Sequence, residues 1–115
     1  MISAEPIDGT PNFSSEIVCV DGERRLILHG EIDLAVRGPL ARALNEIMAT
    51  GSRVVIDMRD VSFLDSTGIG ALARAASEGC EVLVLNPHPA VRRALEVSGI
   101  DGIIQVVGDD EPSKD

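Results

Sequence analysis

The chain contains no tryptophan and no tyrosine, and its only aromatic side chains besides histidine are Phe13 and Phe63. A core here is therefore built from Leu, Ile, Val and Ala. Long apolar runs are missing too. None approaches the roughly 18 residues of a membrane span, and the stretch from Met1 to Asn12 is polar and acidic, unlike a secretory leader. Positive charge is scarce: 10 Lys and Arg stand against 19 Asp and Glu, a formal net charge of −9. That balance argues against nucleic acid, whose phosphates must be met by basic residues, and against an anionic membrane surface. It suits a protein partner with a basic face, or it serves solubility alone. Cysteine is limited to Cys19 and Cys80, in or beside apolar strand segments. With no secretion signal, two buried free thiols are expected rather than a disulfide or a metal pair. Together these features fit a cytoplasmic protein that is monomeric when free.

What is present suits one domain. The 115 residues, 44% of them apolar, are enough for a single core. Residues 1–14 carry Gly, Pro, Ser and acid without periodicity and read as a flexible N-terminal arm. Residues 109–115 read as an acidic C-terminal tail. Between them, over 15–108, the pattern alternates. Ile17 to Val20 is a short apolar strand, Asp21-Gly22 is the signal for a tight hairpin, and Arg24 to Gly30 returns. Gly30-Glu31-Ile32-Asp33 leads toward a helix with Leu40, Ala43, Leu44, Ile47 and Met48 on one face. Arg53 to Met58 reads as a strand covered on both faces. A second helix runs from Ser66 to Glu78 with the stripe Ile69, Leu72, Ala73 and Ala76. Glu81 to Leu85 is a strand, apolar throughout from Val82. Asn86-Pro87-His88-Pro89 opens a third helix with Val91, Ala94, Leu95 and Ser98 inward, and Ile103 to Val107 is the last strand. The order, a β-hairpin followed by α-β-α-β-α-β, predicts an α/β domain with a mixed sheet packed with helices.

The segment that bears chemistry is Asp65-Ser66-Thr67-Gly68. Asp65, Ser66 and Thr67 are all good helix N-cap residues, and Gly68 and Gly70 keep side chains away from the backbone amides of the helix start. A hydroxyl at the positive end of a helix is a place where a phosphate meets N–H groups and a favourable dipole. Asp65 works against this as a neighbouring like charge. The local chemistry leaves two readings open, a plain cap and a phosphoacceptor.

The stretch Val54-Val-Ile-Asp-Met-Arg-Asp-Val-Ser-Phe-Leu-Asp-Ser-Thr-Gly-Ile-Gly-Ala-Leu resembles the signature of the STAS domain family, and most of all its bacterial anti-sigma factor antagonists. The likeness extends to Gly30-Glu31-Ile32-Asp33, to Val82-Leu-Val-Leu-Asn86-Pro, and to Val91-Arg-Arg-Ala-Leu95-Glu-Val-Ser-Gly99. The resemblance implies a small mixed sheet packed with helices. It implies that Ser66 is phosphorylated by an anti-sigma factor that is itself a serine kinase. The unphosphorylated form binds that kinase and frees a sigma factor, and a metal-dependent serine phosphatase resets the switch. It places Asp33 on the same surface, so the expected partner-binding set is Asp33, Asp65, Ser66, Thr67, Gly68 and Ile69. Thr67 is expected to cap or pack rather than to accept phosphate. A non-switching STAS scaffold subunit of a transport or stress-signalling assembly is the alternative role.

Two enzymatic or signalling rivals fit less well. A receiver domain phosphorylated on an aspartate such as Asp57 also calls for a lysine after a later strand, and the only lysine is Lys114, in the tail. A hydrolase built on Ser66 needs a base in reach. The candidates are His29, mid-strand, and His88, between two prolines, and the surroundings of Ser66 are not Gly-x-Ser-x-Gly. No phosphate-cradling glycine loop is present, and no cofactor is expected.

Overall fold

In the computed structural model, which describes residues 12–108, Asp21 and Gly22 both take positive φ, 53° and 82°. That is the conformation a two-residue hairpin turn requires. It joins β1 (Phe13–Val20) to β2 (Glu23–Ile32) as an antiparallel pair, with Val20 opposite Glu23. β1 starts at Phe13 rather than Ile17, so Phe13 and Ser14 belong to the sheet and not to the arm. Phe13 is 2% exposed and lies opposite Gly30. The Ser-Ser-Glu run behind it hides the strand, because one side of an antiparallel edge pair tolerates polar residues. Residues 1–11 of the expected arm and the tail at 109–115 lie outside the described residues.

β3 (Arg53–Leu64), β4 (Glu81–Leu85) and β5 (Gln105–Val107) complete a five-stranded sheet in the order β1-β2-β3-β4-β5. β2 to β5 run parallel. Three helices connect them: α1 (Arg37–Met48), α2 (Ser66–Ser77) and α3 (Pro89–Ser98). Leu40, Leu44 and Ile47 of α1, Leu72 of α2, and Val91 and Leu95 of α3 join Leu26, Ile56 and Val84 of the strands in one continuous core. Each such side chain removed from water contributes about 1.5–3 kcal/mol. The core holds aliphatic residues together with Met58 and Phe13, in keeping with a composition poor in aromatics.

Several boundaries differ from the sequence reading. β3 runs six residues past Met58. Met58, Val61 and Leu64 are buried at a spacing of three, because the pairing with β2 shifts register between Ile27 and His29 and again between Gly30 and Glu31. The last strand begins at Gln105, since the amides of Ile103 and Ile104 bond back to Ile100 O in a short 3-10 turn. β4 buries only Val82 and Val84, leaving Leu83 and Leu85 half-buried. The inward stripe of α2 is Gly68, Leu72 and Ala75, with Ile69, Ala73 and Ala76 packed at its margin. Small residues let the helix sit close, and they give little hydrophobic signal. On α3, Ser98 is exposed, and its hydroxyl donates to Leu95 O at 2.9 Å. The cysteines are free but not buried: Cys19 is exposed and Cys80 intermediate. Cys19 sits opposite Arg24 on the edge strand, one pair from the hairpin turn, where no further strand covers it.

Candidate functional site

β2 and β3 end together, with Ile32 opposite Leu64. Each strand is followed by an aspartate. Asp33 Oδ1 accepts a hydrogen bond from Ala35 N at 3.0 Å and caps the 3-10 turn Leu34–Val36. Asp65 Oδ1 accepts from Thr67 N at 2.8 Å and caps α2. The Asp65 amide donates to Ile32 O at 3.2 Å, which ties the two strand ends into one rim. The short polar side chain of aspartate suits both places, because it replaces a missing backbone acceptor for an amide two residues ahead.

Ser66 is the first residue of α2 and is exposed. Among the described residues its hydroxyl makes no hydrogen bond. The amides that follow it are engaged. Thr67 N donates to the Asp65 carboxylate, and Gly68 N and Ile69 N both donate to Asp65 O, at 3.1 and 3.2 Å. The helix start therefore has fewer open donors than the sequence suggests, and the Asp65 side chain stands where an anion would gather them.

The six expected residues share this rim but differ in what they present. Ser66 is exposed, and Asp33, Asp65 and Thr67 are half-buried. Gly68 is buried and Ile69 packs against the core. A Cβ at Gly68 would collide with Leu64 Cδ1 and lie 2.9 Å from Ile32 Cγ2, so this glycine lets α2 begin directly on the strand ends. Two neighbours escaped sequence reasoning, Leu34 and Phe63, which are 67% and 50% exposed. Leu34 lies ahead of the apolar stripe of α1, and Phe63 falls out of phase with Val61 and Leu64. An apolar residue out of phase with its element is the signal that marks them.

Other chemistry-bearing groups are engaged elsewhere. His29 stands between Glu16 and Asp60, at 3.5 and 3.3 Å. His88 Nδ1 accepts from Ala90 N at 3.2 Å and caps α3. The Asp57 carboxylate accepts from Arg59 N at 2.9 Å. Among the described residues no cluster of three or more His, Cys, Asp or Glu is arranged to hold a metal ion, and no helix is long and apolar enough to cross a membrane.

A family model described as Mlab, STAS domain, matches residues 19–107. The chain belongs to the STAS domain family. A STAS-domain containing protein of Pseudomonas aeruginosa (strain UCBPP-PA14) is 26% identical over 91 residues, covering 75% of this chain and 90% of that protein. Among solved structures, an anti-sigma factor antagonist from Mycobacterium paratuberculosis superposes with a TM-score of 0.73 at 27% identity, over 86% of this chain and 89% of that one. The anti-sigma factor antagonist SpoIIAA in its unphosphorylated form gives a TM-score of 0.63 at 21% identity, over 84% and 90%. Its phosphorylated form gives 0.55 at 20%, over 84% and 94%. The five-stranded mixed sheet with three helices is the STAS fold, and its structural neighbours are anti-sigma factor antagonists.

Proposed function

We propose that this STAS domain is an anti-sigma factor antagonist switched by phosphorylation of Ser66. In the unphosphorylated state it binds an anti-sigma factor that is a serine kinase, and a sigma factor is freed. The kinase transfers phosphate to Ser66 and the complex parts. A metal-dependent serine phosphatase restores the binding form. The domain itself is not an enzyme, and it works in the cytoplasm without contacting nucleic acid.

The observation that carries this reading is the state of Ser66: exposed, without a hydrogen-bond partner among the described residues, and first in a helix beside an aspartate cap. Such a hydroxyl is open to a kinase. The phosphate adds about −1.5 to −2 charges at pH 7 next to Asp65, with the following amides already engaged. Its charge is therefore left to the partner interface. That a structural neighbour, SpoIIAA, is known in both unphosphorylated and phosphorylated forms supports the same role here. The histidines, engaged with Glu16, Asp60 and Ala90, offer no sign of a base for Ser66.

The test is incubation of the domain with each serine-kinase anti-sigma factor of the source organism and ATP, followed by peptide mapping by mass spectrometry. Phosphate on Ser66, lost in Ser66→Ala, is the expected result. Phosphate elsewhere, or label surviving in Ser66→Ala, overturns it. A second reading keeps the fold and drops the switch: a non-switching scaffold subunit of a transport or stress-signalling assembly. It is favoured by the description of the matched family model, which names Mlab and not an antagonist.

A further inference from the structure

Four large apolar side chains stand exposed among the described residues: Leu34, Phe63, Val97 and Ile103. Two of them belong to the rim that carries Ser66. Glu31 pairs with Phe63 as Ile32 pairs with Leu64, so Leu34 and Phe63 leave neighbouring strand ends. Next to Phe63 in the chain, Ser62 lines an open groove of about 340 Å³ together with Asn12, His29, Gly30 and Glu31. The charge around this groove is acidic. Glu31 lies on its wall, and Glu16 and Asp60 flank His29.

We propose that Leu34, Phe63 and this groove form one docking stripe beside Ser66, and that its occupant is a kinase surface with an apolar contact ringed by Lys or Arg, one of which enters the groove. The proposal rests on the antagonist reading and adds where the partner is held and by what chemistry. A few well-packed, fully desolvated residues carry most of an interface's binding energy, and exposed side chains as large as Leu34 and Phe63 have apolar area to give up on contact. The carboxylates around them select a basic partner and speed its approach, in keeping with a chain of net charge −9. A phosphate on Ser66 then falls within the contact rather than at its margin.

Isothermal titration and stopped-flow association, with the purified serine kinase that phosphorylates Ser66, test this. Leu34→Ala and Phe63→Ala are each expected to weaken binding about tenfold or more. Glu31→Lys is expected to slow association, and the wild-type association rate falls as salt rises. Val97→Ala and Ile103→Ala, at the other exposed apolar positions, leave affinity within about twofold. Circular-dichroism melts establish that each variant folds, and Glu31→Lys probes the stripe through charge alone at an exposed position. If Ser66 is phosphorylated while Leu34→Ala and Phe63→Ala bind like wild type, the stripe is wrong and the antagonist reading stands. Association indifferent to salt and to Glu31→Lys removes the basic occupant. If no serine kinase binds the wild-type domain or modifies Ser66, both fall.

Discussion

Asp33 and Asp65 occupy equivalent places at the ends of neighbouring parallel strands. Each directly follows one member of the Ile32–Leu64 pair, and each takes the amide two residues ahead on its Oδ1, at 3.0 and 2.8 Å. The two carboxylates build the rim twice over with the same local device. Only the second opens an α-helix, and only the second is followed by a serine. The caps therefore have separable structural weights, which mutation distinguishes.

Asp65→Ala removes the side-chain acceptor of Thr67 N and is expected to cost about 1 kcal/mol of stability. Asp65→Asn keeps an acceptor in place and stays within about 0.5 kcal/mol of the parent. Urea titration of both variants measures the difference. Asp33 caps only a single 3-10 turn, so Asp33→Ala is expected to leave the melt nearly unchanged while weakening the proposed partner binding. A sharp fall in its melting temperature reduces Asp33 to a structural role.

Gly68 and Gly70 lie on the same helix and respond oppositely to alanine. A methyl at Gly68 meets Leu64 and Ile32, whereas one at Gly70 meets nothing within 4 Å. Gly68→Ala is expected to destabilise the domain by about 1–3 kcal/mol through overpacking. Gly70→Ala stabilises it by up to about 1 kcal/mol through helix propensity. Thermal and chemical denaturation of the pair, side by side, reads this directly.

Under the proposed switch, charge at Ser66 is expected to act on binding more than on folding. Ser66→Asp is expected to weaken the kinase complex about tenfold or more, since an unpartnered charge held in an interface costs several kcal/mol and each 1.4 kcal/mol is about tenfold. Ser66→Ala binds like the parent. Calorimetry giving equal affinities for the two variants argues against a charge-driven switch.

The start of α3 offers a check away from the site. His88→Ala removes the acceptor of Ala90 N and is expected to lower stability by about 0.5–1 kcal/mol. His88→Asn recovers most of that loss, because an amide oxygen accepts from the same position. Neither variant is expected to alter the proposed partner binding at the Ser66 rim.

The sequence signals that proved legible were those with local causes. Asp21-Gly22 dictates its own turn, Gly99 ends α3 at a φ of 80°, and the stripe Leu40, Ala43, Leu44 and Ile47 is the buried face of α1. What stayed hidden depends on partners distant in sequence. The outer half of β3, Arg59–Leu64, carries charges and a serine, and it is a strand because β2 lies beside it with two register shifts. Phe13 enters the core because its strand pairs across the hairpin. At the site, the Asp-Ser-Thr-Gly motif and its cap were readable. That Asp65 engages the amides of Thr67, Gly68 and Ile69, and that Leu34 and Phe63 stand exposed beside it, follows only once the strand ends are aligned.

The engagement of those amides by Asp65 bears on how long the proposed phosphorylation signal would last. Where a protein cradles its own phosphate with several backbone donors, the fold shelters the ester and slows its loss. Here Thr67, Gly68 and Ile69 have no amide to lend, and Ser66 projects into solvent. Those three amides neither shelter nor clamp a phosphate written there. Under the proposed switch, the persistence of the off state is then a contest between kinase and phosphatase, and the domain serves as a tally that either can rewrite.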